Sequence, residues 1–558
     1  MKKLLASALA LVTAFSLCAC SAEKTTPSTA GTIGTIAPEG TQGTTETTGT
    51  KATTATTGTS TPSAPTDAEL IYTVNKALID FRVADSFRAQ AGCTMTMKYG
   101  NTTTEENVSM SISAKNLKTA PEWLKVSRET TEYGTNENSV YFKGNCFYAS
   151  KCGLNGKIRA TGSAKEELGY KKMFDSFIAE IPQDTSKVKI DSIMSSNAAQ
   201  TKKWRNVTIT VKDATVLLDD YYELMKESFV SDDESMQVNV SAPSEEIYLR
   251  LDESGKLLYY RATISVKITV SGGGATASTT VKTVFDFSVD DMNGNVAVEA
   301  PENLDLYVDT TEKEFGYTFF DLAYQDFIGK NDFEASSSCS IGVQMLGVNM
   351  SINMSGRLWA NDFNTKSPIL RETAVMEIVG QSSAKTDFYL KNGYYYVSAP
   401  DAEGNETRVK LSEKEYEALY GAPDFTVIRM FGNTDFYDYE VEKNEYTGNT
   451  EILFAMNPWD FKLQFAQDID AVKTIVVGTQ TVTDTEIYDA QVLATLTPDG
   501  KLYSYEVYYV MEMTVIIQGR ATSVVCEVND VTTIGSTENV TVPEIPNISS
   551  FGSLGETV

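Results

Sequence analysis

The feature that most constrains the fold of this 558-residue chain is a pattern that recurs at a nearly constant distance along it. Phe87 and Cys93 recur as Phe333 and Cys339, both 246 residues further on. A turn sequence at 252–257 recurs at 497–502, and a hairpin sequence at 143–148 recurs at 391–396. Because several separated landmarks share one offset, the sequence predicts two copies of one domain. We place these copies at 67–305 and 306–547, followed by a C-terminal tail at 548–558.

Each copy is predicted to open with an amphipathic helix, because apolar residues recur there at helical spacing. These residues are Leu70, Ile71, Val74, Leu78 and Phe81 in the first copy, and Phe315, Phe319, Leu322 and Phe327 in the second. Strands with a hairpin turn at Gly144-Asn145 or Asn392-Gly393 follow. A more helical middle, such as 164–181 and 213–229 in the first copy, precedes a long meander with turns at Ser254-Gly255 and Asp499-Gly500.

The meander strands define the fold class. Ile264, Val266, Ile268 and Val270 alternate with polar residues, a pattern typical of a strand with one buried face. We therefore predict an α+β fold with two tandem copies of a large curved antiparallel sheet, a half-barrel covered on one face by helices.

Composition argues against most catalytic chemistry. The chain contains no histidine, which excludes Ser-His-Asp and Cys-His nucleophiles and HExxH zinc sites. Ser382 and Lys385 form an S-x-x-K match without its K-T-G or S-D-N partners, and 290–295 has its glycine out of register for a calcium loop. We predict a protein that is not an enzyme and needs no cofactor or metal. A hydrolase with paired carboxylates stays open as an alternative without a positive feature.

The cysteines do not form a disulfide framework. Besides the two near the N-terminus there are five, an odd number, so at least one thiol is free. Cys146 and Cys152 are close enough in sequence to bridge a hairpin, although spacing alone does not show that they do.

The N-terminus carries a targeting signal. Lys2 and Lys3 precede an apolar run that ends in Leu17-Cys18-Ala19-Cys20. This run is too short to span a bilayer. These four residues resemble the lipobox of bacterial lipoproteins, and the resemblance implies a signal peptide at 1–19 and lipidation of Cys20. The Thr-, Ser-, Gly- and Pro-rich segment 20–66 is then a disordered tether. This organisation predicts a lipid-anchored protein on the outer side of a bacterial membrane.

The order of elements resembles the lipoprotein-carrier fold of LolA and the LppX-type lipoproteins. The matching residues are Ser86, Phe87 and Ala89, with Asp332, Phe333 and Ala335 in the second copy, and the hairpin sequence Lys391 to Tyr396. The resemblance implies an incomplete antiparallel barrel that wraps around helices and can hold acyl chains. It implies no catalytic residue. The carriers that shuttle are soluble, so this chain, with its predicted anchor, is more similar to the anchored members.

Charge and aromatic residues leave two functions open. Residues 68–305 contain 27 basic and 33 acidic residues, whereas 306–558 contain 16 and 38, and this acidity argues against nucleic acid as a partner. The first hypothesis is that the half-barrels bind a lipid or another apolar ligand. The second is a non-catalytic envelope or adhesion module that binds wall polymer or a partner protein. Candidate lining residues, equally consistent with plain packing, are Tyr394–Tyr396, Phe436, Tyr437, Tyr439, Met345, Met350 and Met354.

Overall fold

The computed structural model describes residues 65–99, 102–131, 134–171, 174, 178, 181–184, 186–197, 201–211, 237–241, 244–272, 275–378, 383–400, 406–420, 427–444, 446–478 and 480–553. Several predicted features lie outside the described residues: the signal peptide, nearly all of the tether, the lipidation site Cys20, the helix at 213–229 and Ser382. The statements below concern the described residues.

Long stretches of alternating residues form the strands of a first, 13-stranded sheet. Its strands are β1 (Phe87–Tyr99), β2 (Thr102–Lys115), β3 (Glu122–Thr131), β4 (Gly134–Lys143), β5 (Cys146–Lys151), β6 (Leu154–Arg159), β7 (Val188–Ser196), β8 (Lys203–Val211), β9 (Gln237–Val240), β10 (Ser244–Asp252), β11 (Leu257–Gly272), β12 (Ala275–Asp290) and β13 (Val308–Thr310). The strand order is β13-β6-β5-β4-β3-β2-β1-β12-β11-β10-β8-β7, and β9 pairs with β11.

A second sheet of twelve strands follows along the chain. Its strands are β14 (Phe333–Met345), β15 (Val348–Asn361), β16 (Ile369–Ile378), β17 (Ala384–Lys391), β18 (Tyr394–Pro400), β19 (Glu406–Ser412), β20 (Phe436–Lys443), β21 (Thr450–Met456), β22 (Thr481–Leu496), β23 (Leu502–Ile517), β24 (Arg520–Ile534) and β25 (Gly552–Ser553). The strand order is β20-β21-β22-β23-β24-β14-β15-β16-β17-β18-β19-β25.

The two sheets follow one plan. When the second order is read backwards, each of its twelve strands takes the place of one strand of the first sheet, from β25 for β13 to β20 for β7. Only β9 has no counterpart among these strands. All pairings are antiparallel except those of the short strands β13 and β25, which are parallel. The predicted fold class, two tandem sheets of one kind with helices on one face, is confirmed.

The predicted hairpin turns form, and their residues explain why. The β4–β5 turn has Gly144 and Asn145 at positive φ, and the β17–β18 turn has Asn392 and Gly393 there. Two-residue hairpin loops with a type I′ turn require φ > 0 at both central positions, which Gly and Asn adopt at the lowest cost. The meander turns at Gly255 and Gly500 also form at the predicted places.

Six described helices accompany the sheets: α1 (Asp67–Arg82), α2 (Gly162–Leu168), α3 (Phe315–Ile328), α4 (Glu413–Tyr420), α5 (Pro458–Gln464) and α6 (Ala466–Val477). All five predicted apolar residues of α1 are buried. The prediction for α3 is partly wrong, because Leu322 is exposed and Phe319 only half-buried, whereas Phe320 and Ala323 are buried. The helix has apolar residues on more than one face, so spacing alone did not settle which face meets the sheet.

Each half ends in a strap, which we define as 303–310 in the first half and 547–553 in the second. Both straps begin with an asparagine at φ 55°, continue as one turn of 3-10 helix and end in the short parallel strand β13 or β25. Each also presents a ring edge-on to a tyrosine of the hairpin, Tyr307 to Tyr148 and Phe551 to Tyr396. The strap of the first half therefore extends past the predicted boundary at 305, and the domain boundaries stay a prediction.

The two halves pack directly against each other. One continuous apolar cluster contains buried residues of both sheets. At the junction the Thr450 hydroxyl donates to the Cys152 carbonyl oxygen at 2.8 Å, and the Phe315 ring of α3 packs on Gly156 of β6. A Cβ at Gly156 would lie 2.5 Å from that ring, so only glycine permits this approach.

Candidate functional site

Strand alternation defines which residues face the helices in the second sheet. Phe333 and Ala335 of β14 and Ile341 and Val343 further along the same strand are buried, so the odd-numbered residues of β14 face inward. Residues paired with them share that face. Nine of the inward residues between these two buried ends form what we call the concave strip: Ser337, Cys339, Met354, Gly356, Leu358, Glu372, Ala374, Met376 and Asp530.

The concave strip is open, although its residues point to the interior. None of its nine residues is fully buried, and Met354, Leu358 and Met376 are half-buried at the edge of the core. The ends of the strip are closed, because Ala360 and Leu370 at one end and Ile352 at the other are buried. The strip is therefore a partly solvated, mainly apolar and small-residue surface inside an otherwise packed half-barrel.

The first sheet lacks such an opening. The positions that correspond in strand register are Ala91, Cys93, Val108, Met110, Ile112, Lys125, Ser127, Glu129 and Phe285. All of them except Cys93 are at most 9% exposed. The same framework is filled in the first half and open in the second.

The cause of the difference is the segment that follows the hairpin in each half. In the first half Tyr170 packs edge-on against Trp123 and Phe174 against Phe287, and Lys125 Nζ donates to the Leu168 carbonyl oxygen at 3.4 Å. These contacts fill the concave face with rings and a helix end.

In the second half the corresponding helix α4 covers only one end of the sheet. Its Tyr416 stacks on Tyr395 of β18, with ring centroids 4.5 Å apart, and meets Phe388 of β17. Phe431 further along packs on α3 and β21, through Phe320 and Phe454. The described residues of this segment therefore leave the middle strands uncovered.

Polar groups border one end of the concave strip. Asp530 of β24 lies opposite Cys339, and no hydrogen bond or ion pair reaches its carboxylate in the described part of the chain. Burial and the Asp468 carboxylate of α6 raise the pKa of Asp530 to about 6. Asp468 itself forms an ion pair with Arg429. Burial also raises the pKa of the Cys339 thiol to about 12, so this thiol is protonated and unreactive at neutral pH.

Tyr509 of β23 adds a second polar group without a partner. The residue is 2% exposed, and its hydroxyl forms no hydrogen bond within the described structure. Burial, together with the nearby Cys339, Asp468 and Asp530, raises the pKa of this hydroxyl, which therefore stays protonated. A buried phenol normally has a hydrogen-bond partner, so the Tyr509 hydroxyl retains an unused donor and acceptor.

A second concavity lies on the opposite, outer face of the same strands. It has a volume of about 310 Å³ and is lined by the outward-facing residues Ser338, Ser340, Asn353, Ser355, Val375, Glu377, Asn529 and Val531, with Cys339 and Met354 between them. The side-chain oxygen of Asn529 is buried there without a described partner. Six of its ten lining residues carry hydroxyl, amide or carboxylate groups.

The structure distributes the residues that the sequence singled out. Met354 lies in the concave strip, whereas Met345 is half-buried near the β14–β15 turn and Met350 is exposed. Tyr395 is buried, and Tyr394 is exposed beneath the Lys410 ammonium group at 3.9 Å.

The second aromatic group also has packing roles. Phe436 belongs to the ring cluster around Phe431, and Tyr439 donates to the Glu312 carbonyl oxygen at 2.6 Å. Tyr437 is 76% exposed. Cys146 and Cys152 are both free thiols, so the structure contains no bridge between them. The 290–295 segment forms a tight turn, with Asp291 and Asn293 at positive φ.

Sequence reasoning missed Asp530 and Tyr509. A signal for Asp530 was present, because it falls in the apolar phase of a strand whose other inward residues include Val524, Cys526 and Val528. Tyr509 gave no signal, since tyrosine in that phase is ordinary.

Two further features concern the described residues as a set. No helix among them combines the length and apolar character that crossing a bilayer requires. Their acidic and cysteine side chains form no group with the geometry of a metal site.

Comparisons with known proteins identify no family for this chain. No family model matches it, and no curated protein matches it. Among solved structures, a LolA superfamily protein from Nitrosomonas europaea aligns at 11% identity and a TM-score of 0.14, covering 42% of this chain and 94% of that one. A putative outer membrane lipoprotein-sorting protein domain from Vibrio parahaemolyticus aligns at 8% identity and the same TM-score of 0.14, covering 42% of this chain and 96% of that one. At these TM-scores the alignments carry no weight in the argument below.

Proposed function

We propose that this chain is a non-enzymatic surface lipoprotein that binds a lipid or another apolar molecule on the concave strip of its second half-barrel. The observation that carries the proposal is that inward-facing Met354, Leu358 and Met376 are half-exposed while their counterparts in the first sheet are buried. Apolar side chains that are partly exposed to water gain from contact with an apolar ligand, because that contact removes their surface from water.

The remaining parts of the proposal concern the anchor and the domains. Lipidation at Cys20 after removal of 1–19 would place the protein on the outer side of the membrane, with 20–66 as its tether. Residues 67–305 and 306–547 would be the two LolA/LppX-like domains. In this arrangement the first half serves as a packed support and the second as the ligand carrier.

The test uses the full chain with Cys20→Ser, so that no acyl chain of its own competes for the site. Binding of the neutral apolar dye N-phenyl-1-naphthylamine is followed by its fluorescence in wild-type and Ala374→Phe proteins. Ala374 lies in the middle of the strip, so a phenylalanine there occupies the space of the ligand. We expect a loss of affinity of about tenfold or more.

Val375→Phe provides the matched control, because Val375 is the next residue of the same strand and lines the outer cavity. We expect this variant to bind the dye as the wild type does. Unchanged binding by Ala374→Phe, in a protein with an unchanged melting temperature, would contradict the proposal.

A second candidate function is a non-catalytic envelope module that binds wall polymer through the outer face. The polar lining of the 310 Å³ cavity favours it, because Ser and Asn side chains with a free amide oxygen suit a polyhydroxyl ligand. Sedimentation with purified cell wall separates the two functions. Retention that Val375→Phe abolishes and Ala374→Phe does not would support the envelope module.

A further inference from the structure

The unpartnered polar groups of the concave strip restrict what can occupy it. Asp530 and Glu372 are carboxylates on the inward face of an otherwise apolar and small-residue surface, and neither forms an ion pair or hydrogen bond in the described structure. Their counterparts in the filled first sheet are Phe285 and Lys125. The open half-barrel therefore contains negative charge where the closed one contains a ring and a cation.

Asp530 lies on the more enclosed side of the strip, because it is half-buried whereas Glu372 is exposed. The Tyr509 hydroxyl, in a residue that is 2% exposed, has no partner and is acted on by both Asp530 and Asp468. A buried hydroxyl that is left unpaired has lost its hydrogen bonds to water without replacing them. Arg429 neutralises Asp468 but forms no ion pair with Asp530. The Asp530 carboxylate and the Tyr509 phenol are thus close enough to interact electrostatically, and neither makes a hydrogen bond in the described structure.

The net charge of the second half favours a cationic ligand group beside Asp530. Residues 306–558 contain 16 basic and 38 acidic residues, so the field of this half disfavours an anion and favours a cation. A fatty acid carboxylate would meet Asp530 as a like charge. A protonated amine instead donates to the carboxylate and still has hydrogens to donate to the Tyr509 oxygen.

From this geometry we infer that the concave strip takes an apolar molecule with a protonated amine, whose chain covers Met354 and Met376 and whose nitrogen is held by Asp530 and Tyr509. The inference rests on the proposed function, because it assigns a ligand class to the same strip. The acidic second half would attract any cation. The property that distinguishes the inferred ligand is therefore its N–H donor and not its charge alone.

The experiment displaces bound N-phenyl-1-naphthylamine from the Cys20→Ser protein with three amphiphiles of one chain length: dodecylamine, dodecyltrimethylammonium and laurate. Each is added below its micelle concentration, at neutral pH and physiological salt. We expect dodecylamine to displace the dye at a concentration at least about tenfold lower than either of the others, because only it can donate a charge-assisted hydrogen bond to the Asp530 carboxylate. In Asp530→Asn that preference should fall to about twofold or less, and Tyr509→Phe should reduce it by a smaller factor.

Asp489→Asn is the control, because it removes the same charge from an exposed position on β22. It should keep the full preference for dodecylamine. Equal displacement by the amine and the trimethylammonium compound, or an unchanged preference in Asp530→Asn, would overturn the inference and leave apolar binding intact. The proposed function would instead be overturned if the dye does not bind, or if Ala374→Phe does not block its binding. The two failures are therefore distinguishable.

Discussion

Glu245 of β10 is a carboxylic acid in the packed interior of the first sheet. It is 2% exposed, lies opposite Ile264, and neither carboxyl oxygen has a hydrogen-bond partner within the described residues. Burial raises its pKa from 4.5 to about 8. Asp530 has the same cause of perturbation, but it lies on an open face, where a ligand can reach it.

The raised pKa predicts a pH-dependent stability. Between about 4.5 and about 8 the folded chain holds a proton on Glu245 that the unfolded chain releases, so the free energy of unfolding falls as the pH rises through this window and levels off above it. Glu245→Gln removes the titration. We expect the variant to gain about 2–4 kcal/mol relative to wild type between pH 5 and pH 8. Thermal unfolding of both proteins at the two pH values measures the difference.

Glu246→Gln is the control, because Glu246 is the exposed neighbour on the same strand. Its stability should follow that of the wild type at both pH values. A constant stability difference between Glu245→Gln and wild type at pH 5 and 8 would mean that Glu245 titrates normally.

Single residues also show how far the sequence could lead. Val524, Cys526 and Val528 predict the inward phase of β24, and the same phase exposes Asp530 as an exception. What the phase cannot predict is whether that face is covered. The burial of Val108 and the exposure of Met354 at equivalent places depend on side chains from a distant segment, and no local pattern records their packing.

At the scale of elements, the straps determine how the halves are joined. The first strap leaves sheet one through β13 and leads within a few residues into α3, whose Phe315 packs on Gly156 of β6. The Lys151 ammonium group lies 5.4 Å from the centre of the same ring. The repeat predicted the two sheets, but it could not predict this junction, because the contacts within one copy carry no information about contacts between copies.

Gly156→Val should therefore weaken the junction. An added Cβ would approach the Phe315 ring to 2.5 Å and the Thr310 methyl to 2.9 Å, and both groups are held by their own packing. Overpacking of this kind costs about 1–3 kcal/mol. We expect a lower midpoint of urea unfolding for Gly156→Val.

Gly162→Val provides a comparison, because a Cβ at Gly162 of α2 meets no atom within 4 Å. Its free energy of unfolding should change by no more than about 0.5 kcal/mol. Equal effects of the two substitutions would show that the close approach of Phe315 does not matter.

For the whole molecule, the shared apolar cluster predicts that the two halves unfold together. Buried residues of both sheets belong to that cluster, and Cys152 of the first half accepts a hydrogen bond from Thr450 of the second. In a protein with Trp359→Phe and Trp459→Phe, the remaining Trp123 and Trp204 report only on the first sheet, whereas far-UV circular dichroism reports on both. We expect the two signals to show one coincident transition.

Two separated transitions would contradict this prediction, and they would mean that each sheet is stable without the other. The same measurement on Gly156→Val tests the cause, because a weakened junction should move the two signals apart.

Under the proposed function, the open strip affects how a ligand binds and is released. Because the strip is open without a ligand, a ligand would enter it without local unfolding of the sheet. Its rate of exchange would then be limited by diffusion and by the contacts with Asp530. At the equivalent positions the first half makes ring contacts of its own, which under the proposed function the second half leaves to its ligand.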